Sequence, residues 1–326
     1  MKKHLGAMLS AGVFALFAMQ AFAQTYPNRP IRWLVPYSAG GPSDLLARAV
    51  APKLSTALGV PVVVENRLGA GGSIAMDAVA KAEPDGYTLG MALSGTQSIN
   101  PHLYAKLPYD SLKDFSPVTP LVSYTNILVV SPNAPVKSVA ELVAYAKANP
   151  DKVTFASGGK GTSNHLAGEL LKALTNAPML HVPYKGNAPA MVDVISGNVT
   201  CMFDILATGL AQARSGRVRA LAVTSMKRSP YAPDIPTLVE AGVEGYEQAG
   251  TDLWIGVVAP PGTPKPIVDR LYAEFDKAMK TPEVMERVRS LFYDTWTLPP
   301  EEFTAYLRAD YLKWGNITKL AGLKPE

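Results

Sequence analysis

Residues 31–58 read IRWLVPYSAGGPSDLLARAVAPKLSTAL, and this stretch decides the fold class. The opening IRWLVP is a short apolar run, which is typical of a buried strand. A glycine-rich turn follows, and after it apolar residues recur every four positions on one helix face, at Leu46, Val50, Leu54 and Leu58. A strand, a glycine turn and an amphipathic helix in direct succession predict a layered α/β fold.

Short β runs and helical runs alternate over the rest of the chain. Ser138 and Glu141 form an S-x-x-E capping box at the start of one predicted helix. The proline-punctuated stretch 100–120 is assigned no regular element. The alternation predicts α/β layers with mostly parallel sheets. Further strands are predicted over residues 62–65, 88–93, 126–131, 152–156, 179–183, 199–204, 219–224 and 253–259.

Two β/α sets, joined near residues 120–130 and again near 245–255, predict a chain that crosses twice between two lobes. The expected first lobe is discontinuous and comprises residues 24–125 and 250–326, whereas the second comprises residues 126–249. The C-terminal ends of the strands in both lobes would face the cleft between them. This cleft is therefore the expected ligand site.

The N-terminus has the features of an export signal. Lys2 and Lys3 precede an apolar run over residues 5–19 and an A-x-A cleavage site. A membrane anchor is the alternative, but a membrane span needs ~20 apolar residues. We expect residues 1–23 to be a cleaved signal peptide, Gln24 to be the mature N-terminus, and the product to be periplasmic and monomeric.

Composition and missing motifs exclude several classes of protein. The chain is 48% hydrophobic and 18% charged, which is not the composition of a disordered protein. Its net charge of +4 is not concentrated in a Lys/Arg run, so no nucleic-acid partner is expected. Cys201 is the single cysteine, which excludes an internal disulfide. His102, His165 and His181 show no metal-ligand spacing, so neither a metal nor a cofactor is expected.

Two glycine-rich loops, each between a strand and a helix, are the main candidate binding segments. Glycines let the backbone approach a ligand, and the following helix N-terminus favours an anion. Alternatively, both loops are ordinary capped turns that bind no ligand. The side chain of Lys160 would then lie in solvent. The candidate ligand-binding residues of the first loop are Tyr37, Ser38, Ala39, Gly40, Gly41 and Asp44, and those of the second are Ser157, Gly158, Gly159, Thr162, Ser163 and His165.

Other candidates stand at the exits of predicted strands. Tyr184 and Tyr37 are placed to flank a ligand or to be aromatic residues at its rim. Asp204 would repel a carboxylate unless it met an amine, a hydroxyl or a water; alternatively it caps a turn. The exit of strand 88–93 adds Ser94, Thr96 and Gln97 as ligand-binding candidates.

The sequence also leaves two other functions open. An exported hydrolase or isomerase would use His165 with Ser163 or Ser38, although G-x-S-x-G is absent. A sensing module for a membrane kinase would bind the same ligand with the same residues. Turnover would identify the enzyme, and capture of membrane partners would separate a sensor from a transport protein.

Eight segments in order carry a family resemblance over essentially the whole mature chain. They are YPNRPIRWLVPYSAGGPSDLLAR, VVVENRLGAGGS with the later DGYTL, LPYDSLKDFSPV, KSVAELVAYAKANP, ASGGKGTSNHLAGELL, HVPYKGNAPAMVDVISG, RALAVTS and APPGTP. With them the chain resembles the periplasmic solute-binding proteins of tripartite tricarboxylate transporters, often called the Bug family. Ala39 departs from the pattern, because the family usually has proline there.

The resemblance implies the periplasmic binding protein type II fold, with two α/β lobes that close on a hinge. It implies that a small organic carboxylate, a di- or tricarboxylate or an aromatic carboxylate, is held by residues 37–41 of one lobe and residues 157–163 of the other. Asp204 matches the family's cleft aspartate, which acts through water or a polar ligand group. The implied partners are the membrane subunits of the transporter, and the chain is then a binding protein and no enzyme.

Overall fold

Two β-sheets flanked by helices make up the computed structural model, which describes residues 26–184, 186–249, 253–323 and 325. The predicted signal peptide lies outside these residues. The strands are β1 (Ile31–Val35), β2 (Val62–Asn66), β3 (Thr88–Leu93), β4 (Ser116–Tyr124), β5 (Asn126–Val130), β6 (Thr154–Ser157), β7 (Leu180–Pro183), β8 (Cys201–Ile205), β9 (Arg219–Val223), β10 (Leu253–Ala259) and β11 (Asp294–Thr295).

The helices cover both sheets. They are α1 (Pro42–Leu58), α2 (Ser73–Ala80), α3 (Val139–Ala148), α4 (Ser163–Thr175), α5 (Asn187–Ser196), α6 (Leu206–Arg214), α7 (Tyr246–Ala249), α8 (Lys265–Met279), α9 (Pro282–Ser290) and α10 (Pro300–Leu320). Half of the predicted capping box is confirmed: the Glu141 amide donates to the Ser138 hydroxyl at 3.1 Å. The Glu141 carboxylate accepts from the Lys137 amide at 2.7 Å and not from that of Ser138. In the described ranges, no helix has both the length and the apolar character needed to cross a bilayer.

The strand order is β11-β4-β10-β3-β1-β2 in the first sheet and β7-β6-β8-β5-β9 in the second. Four of the strand pairs in the described ranges are parallel and five are antiparallel. The expectation of mostly parallel sheets is therefore wrong. β5 and β10 run against their neighbours because each begins at the edge of the sheet where β3, β4, β8 and β9 end.

Strand β4 occupies part of the stretch that the sequence analysis left without regular structure. Proline is unusual inside a sheet because it cannot donate to the ladder. Here the pairing with β10 shifts register twice, so that Pro120 lies opposite Gly256 and Pro117 opposite Val258. The other neighbour, β11, pairs with only two residues of β4. The two bulges and the nearly free edge explain how a nine-residue strand accommodates two prolines.

Gly256 makes this close approach possible, and its substitution is our first prediction. A Cβ there would lie 2.8 Å from the Thr119 carbonyl oxygen, 3.0 Å from Pro120 Cα and 3.0 Å from the Phe303 ring. We expect Gly256→Ala to lower the free energy of unfolding by about 1–3 kcal/mol, the usual cost of overpacking. Urea titration measures the loss.

A second substitution shows whether the loss of stability comes from the contacts with backbone or from the contact with the Phe303 ring. Because two of the three contacts are with backbone, adding Phe303→Leu to Gly256→Ala should not restore stability. Full recovery in the double variant, or an unchanged urea midpoint in Gly256→Ala alone, would contradict this account of the bulge.

The C-terminal helix α10 packs against the cores of both sheets. Phe303 and Leu307, near its start, pack with Leu34 and Trp254 of the first sheet. Trp314, near its end, belongs to a cluster of the second sheet that also includes Ile317, Leu128 and Phe155. The end of this helix therefore packs with the second sheet, whereas the sequence analysis assigned all of residues 250–326 to the first lobe.

Candidate ligand-binding site

A cavity of about 420 Å³ lies between the two sheets, at the ends of their strands. Tyr37 and Ser38, after β1, line it from the first sheet, and Thr162 and Ser163, before and at the start of α4, line it from the second. Both glycine-rich loops therefore reach one cavity, as expected for a ligand site at the carboxyl ends of strands. The sequence candidates found in its wall are Tyr37, Ser38, Gly41, Gly158, Thr162 and Ser163.

Several wall residues were missed in the sequence analysis. Ser43 and Asn164 adjoin the two loops, so their positions beside a helix start were a usable signal. Tyr124 ends a strand that was not predicted, and Tyr293 lies in a loop with no motif. The further residues in the wall that were not candidates include Pro42, Gly71, Leu93, Gly95, Asn100, Tyr104, Gly161, Gly186, Asn187, Ile205, Thr208 and Ile255.

The first loop uses its glycine amides internally. The Gly40 amide donates to the Asp44 carboxylate at 2.9 Å, and the Gly41 amide donates to the Ser38 carbonyl at 3.2 Å. Both amides therefore have acceptors within the loop in this structure, and ligand contact by Gly40 or Gly41 stays a prediction. Asp44 reaches back from the first turn of α1 and takes the donor that a ligand would need. Ala39, Gly40 and Asp44 are absent from the cavity wall.

Asp44 instead fixes the shape of the first loop. It is 1% exposed and accepts hydrogen bonds from Arg48 and from Asn66, whose amide also donates to the Tyr37 carbonyl. Burial alone would raise the pKa of the Asp44 carboxyl, but the bonds from Arg48, Gly40 and Asn66 outweigh it and hold that pKa below its usual value. The carboxylate is thus a permanent anchor of the loop.

The first loop still offers donors to a ligand. Helix α1 begins after Gly41 without a side-chain cap, and the amide of Ser43 in its first turn has no acceptor within the helix. Ser38 and Ser43 both line the cavity, where their hydroxyls are available for hydrogen bonding. The loop therefore contributes hydroxyls and a helix N-terminus.

Hydrogen bonds within the second loop involve several of the predicted ligand-binding residues. The Thr162 hydroxyl donates to the Gly159 carbonyl at 2.8 Å and accepts from the His165 amide at 3.3 Å. The Gly159 amide donates to the Ser157 hydroxyl, and the Gly161 amide donates to His165 Nδ1. Ser157, Gly159 and His165 are absent from the cavity wall and hold the loop in shape.

Asn164 presents an unused donor at the start of α4. It lines the cavity, is 4% exposed, and its Nδ2 atom has no hydrogen-bond partner in the part of the chain that the structure describes. The amides of Ser163 and Asn164, in the first helical turn, have no acceptor within the helix. A buried donor without a partner costs free energy, which an anion bound in this cavity would recover.

Asp204 lies behind the cavity wall and positions two of its residues. It is 1% exposed and absent from the wall, and its two carboxylate oxygens accept from Asn187 Nδ2 and Thr208 Oγ1, each at 2.6 Å. Burial raises the pKa of Asp204 in spite of these two bonds. In front of Asp204, the neutral side chains of Asn187 and Thr208 form this part of the cavity wall.

The remaining candidates hold other parts of the protein together outside the cavity wall. The Ser94 hydroxyl accepts from the Trp254 amide at 2.8 Å. Thr96 bonds to the backbone of Leu93. Gln97 Nε2 contacts the Met76 sulfur. The Tyr184 hydroxyl donates to Asp193 at 2.5 Å. The segment after β3 is a π-helical turn over Gly95–Ile99, and the side chains of Thr96 and Gln97 on it are buried outside the cavity wall.

Charge in the cavity wall comes mainly from helix ends. The starts of α1, α4, α5 and α6 all contribute wall residues, and each helix N-terminus carries about half a positive charge. In the wall formed by described residues, Lys160 is the one charged side chain. The cavity is therefore suited to a small anion held by neutral donors.

His165 and His181 stack beneath the second loop. Their ring centroids are 4.1 Å apart, and His181 Nε2 lies 2.7 Å from the Ser157 hydroxyl. The nearest charged groups are Glu169, Lys160 and Lys172. An enzyme using His165 as a base would need this ring beside a serine, whereas the ring stacks on His181 and its Nδ1 accepts the Gly161 amide.

The histidine pair predicts acid sensitivity. Desolvation and the neighbouring His165 lower the pKa of His181 from its usual 6.5 to about 4. Between these pH values the unfolded chain binds a proton at this position that the folded protein does not, so stability should fall as the pH decreases from 6.5 towards 4. Urea midpoints across this range should fall less steeply in His181→Asn. Equal slopes in the two proteins would contradict this assignment.

A second depression, of about 500 Å³, lies on the outside of the second sheet. Its two guanidinium groups already have acceptors, because Arg214 donates to the Tyr231 carbonyl and Arg219 to the Val136 carbonyl. It receives neither glycine-rich loop. The cavity between the sheets is therefore the better candidate site.

Solved structures with the same fold define the class of this protein. The periplasmic binding protein BugD is 37% identical and superposes with a TM-score of 0.80, over 92% of this chain and 100% of that one. R. palustris Rpa4515 with adipate is 34% identical with a TM-score of 0.83, over 92% and 100% of the two chains. The protein therefore has the two-lobed α/β fold of the periplasmic binding proteins.

Sequence relatives establish the family. The model of the tripartite tricarboxylate transporter family receptor matches residues 46–323. The UPF0065 protein in the tcbD-tcbE intergenic region of Pseudomonas sp. (strain P51) is 40% identical over 293 residues, 90% of this chain and 86% of that protein. The chain belongs to the tripartite tricarboxylate transporter receptor family, which includes the Bug proteins.

Proposed function

We propose that this protein captures a small organic carboxylate in the periplasm, in the cavity between its lobes, and delivers it to the membrane subunits of a tripartite tricarboxylate transporter. The observation that carries the proposal is the partnerless, buried Nδ2 donor of Asn164 at the start of α4. The solved neighbour with adipate, a carboxylate, supports it. Family membership supports the transporter as the partner.

The remaining parts of the proposal follow from the same role. Cleavage of residues 1–23 would release a soluble monomer into the periplasm. The proposed first lobe comprises residues 24–125 and 250–326 and is built on the first sheet. The proposed second lobe comprises residues 126–249 and is built on the second sheet. Closure would bury the carboxylate and present both lobes to the membrane subunits.

The donors in the wall are sufficient for a transport affinity. A micromolar dissociation constant corresponds to about −8 kcal/mol, and a hydrogen bond to a charged group contributes about 1.5–3 kcal/mol. The Ser163 and Asn164 amides, Asn164 Nδ2 and the hydroxyls of Ser38 and Ser43 together provide several such bonds. Neutral donors also release an anion more readily than a buried ion pair does, as a transport receptor requires.

Isothermal titration calorimetry with matched acids and amides tests the proposal. The mature protein is titrated with benzoate, malate, adipate and citrate, and with the amide of each acid, which keeps the shape and loses the charge. We expect at least one acid to bind at micromolar concentration and its amide to bind at least about tenfold more weakly, which is one lost charge-assisted bond. Binding of no acid, or equal binding of acid and amide, would refute carboxylate capture.

A further inference from the structure

The cavity has an apolar floor opposite its polar wall. Leu93 and Ile255 are register partners at the cavity end of β3 and β10. Tyr124 and Tyr293 lie beside them with ring centroids 5.2 Å apart and planes inclined by 40°. Ile205, at the end of β8, is the residue of the second sheet that lies in this floor. The floor is thus aliphatic and aromatic and lies where the chain passes from one sheet to the other.

The floor favours a flat apolar group over a second charge. Aromatic rings pack well against tilted aromatic neighbours and aliphatic side chains. A carboxylate moved into such surroundings needs several hydrogen-bond donors to replace its water, and the side chains of Leu93, Ile205 and Ile255 supply none. The one charged side chain in the described wall, Lys160, belongs to the second glycine-rich loop and not to the floor. Buried Asp204, behind Asn187 and Thr208, would repel a second anion.

The tyrosine hydroxyls near the floor remain neutral. Desolvation, with a smaller effect from Tyr104, raises the pKa of Tyr37 to about 12. Burial also raises the pKa of Tyr124 well above its usual value. These hydroxyls therefore add no negative charge at neutral pH and leave the floor compatible with an uncharged ring.

We infer that the ligand is an aromatic monocarboxylate, with its carboxylate on the donors of Ser163 and Asn164 and its ring on the floor formed by Leu93, Tyr124, Ile205, Ile255 and Tyr293. This inference rests on the proposed function and narrows its substrate class. It separates this chain from a receptor for acids with two charged ends.

Titration of the mature wild-type protein separates the inference from the proposed function. Benzoate is compared with cyclohexanecarboxylate, which has the same charge without the planar ring, and with adipate and malate, which have two charges. We expect benzoate to bind at least about tenfold more tightly than each of the other three acids. Tighter binding of adipate, malate or cyclohexanecarboxylate would overturn the inference and leave carboxylate capture standing. Binding of no acid would overturn both.

A pair of variants locates the ring. Ile205→Asn places an amide in the floor and should weaken benzoate binding about tenfold or more. Leu312→Asn, on the outer face of α10 with 65% of the residue exposed, should leave it unchanged. Thermal unfolding of both variants verifies that they fold. Unchanged benzoate affinity in Ile205→Asn would overturn the placement of the ring, and the wild-type comparison with cyclohexanecarboxylate stands even if this variant does not fold.

Discussion

Asn164→Asp is expected to weaken carboxylate binding by at least about 100-fold. The substitution keeps the size of the side chain but replaces the Nδ2 donor with a second acceptor in a cavity that binds an anion. Loss of one hydrogen bond to a charged group costs about 1.5–3 kcal/mol, which is about 10- to 150-fold in affinity. Repulsion between two carboxylates in a partly desolvated cavity adds to this loss.

Two further variants separate the lost donor from the added charge. Asn164→Ala removes the donor alone and should weaken binding about 10-fold or more. Asn198→Ala is the matched control, because that asparagine bonds to Asp193 away from the cavity. Titration with the tightest-binding acid measures all three variants, and thermal unfolding verifies that they fold. Unchanged affinity in Asn164→Ala would show that the carboxylate lies elsewhere.

The fold was predictable from the sequence wherever the local residue pattern is the one usual for the element that forms. The apolar spacing at Leu46, Val50, Leu54 and Leu58 predicted helix α1, and the apolar run predicted strand β10 with its observed bounds, Leu253–Ala259. Strand β4 was not predictable, because two prolines are unusual inside a strand and only the two register shifts against β10 accommodate them. The direction of β5 and β10 depends on where the chain re-enters each sheet, and no local pattern encodes that.

The site was predictable at the level of loops and not of atoms. Gly41 lines the cavity and Gly40 does not, and the Asp44 side chain accepts the hydrogen bond of the Gly40 amide. Likewise His165 follows Asn164 by one position, and the helix turns the histidine towards His181 and the asparagine into the cavity wall. A helix start narrows the donors to a few neighbours, and only packing selects among them.

The floor of the cavity was the part of the site that the sequence predicted least well. Tyr37 was a candidate and lines the cavity, whereas Tyr184 is held by Asp193 outside it. Trp254, another aromatic near the predicted cleft, is buried in the core, and its indole nitrogen donates to Asp310 at 2.8 Å. Tyr124 and Tyr293 come together only when β4 and the loop before β11 are in place. Ligand identity therefore depends on long-range packing.

Trp314→Ala should produce the largest loss of stability, about 3–5 kcal/mol in the free energy of unfolding, as is usual for a buried tryptophan. Trp314 is 1% exposed and belongs to the core of the second sheet, although its helix begins in the core of the first. Its removal leaves a cavity at the point where α10 attaches to the second sheet. Urea titration, with the midpoint and slope fitted together, measures the loss.

Two variants of the same helix show whether packing is the cause. The indole Nε1 of Trp314 has no hydrogen-bond partner within the described chain, so Trp314→Phe keeps most of the apolar volume without losing a bond. It should cost clearly less than Trp314→Ala, because it leaves a smaller cavity. Leu312→Ala, two positions away and exposed, should stay within about 0.5 kcal/mol of the wild type. If packing is the cause, the loss of stability follows the buried volume removed and not the position on the helix. Equal losses in Trp314→Ala and Leu312→Ala would show that α10 does not pack on the second sheet through Trp314.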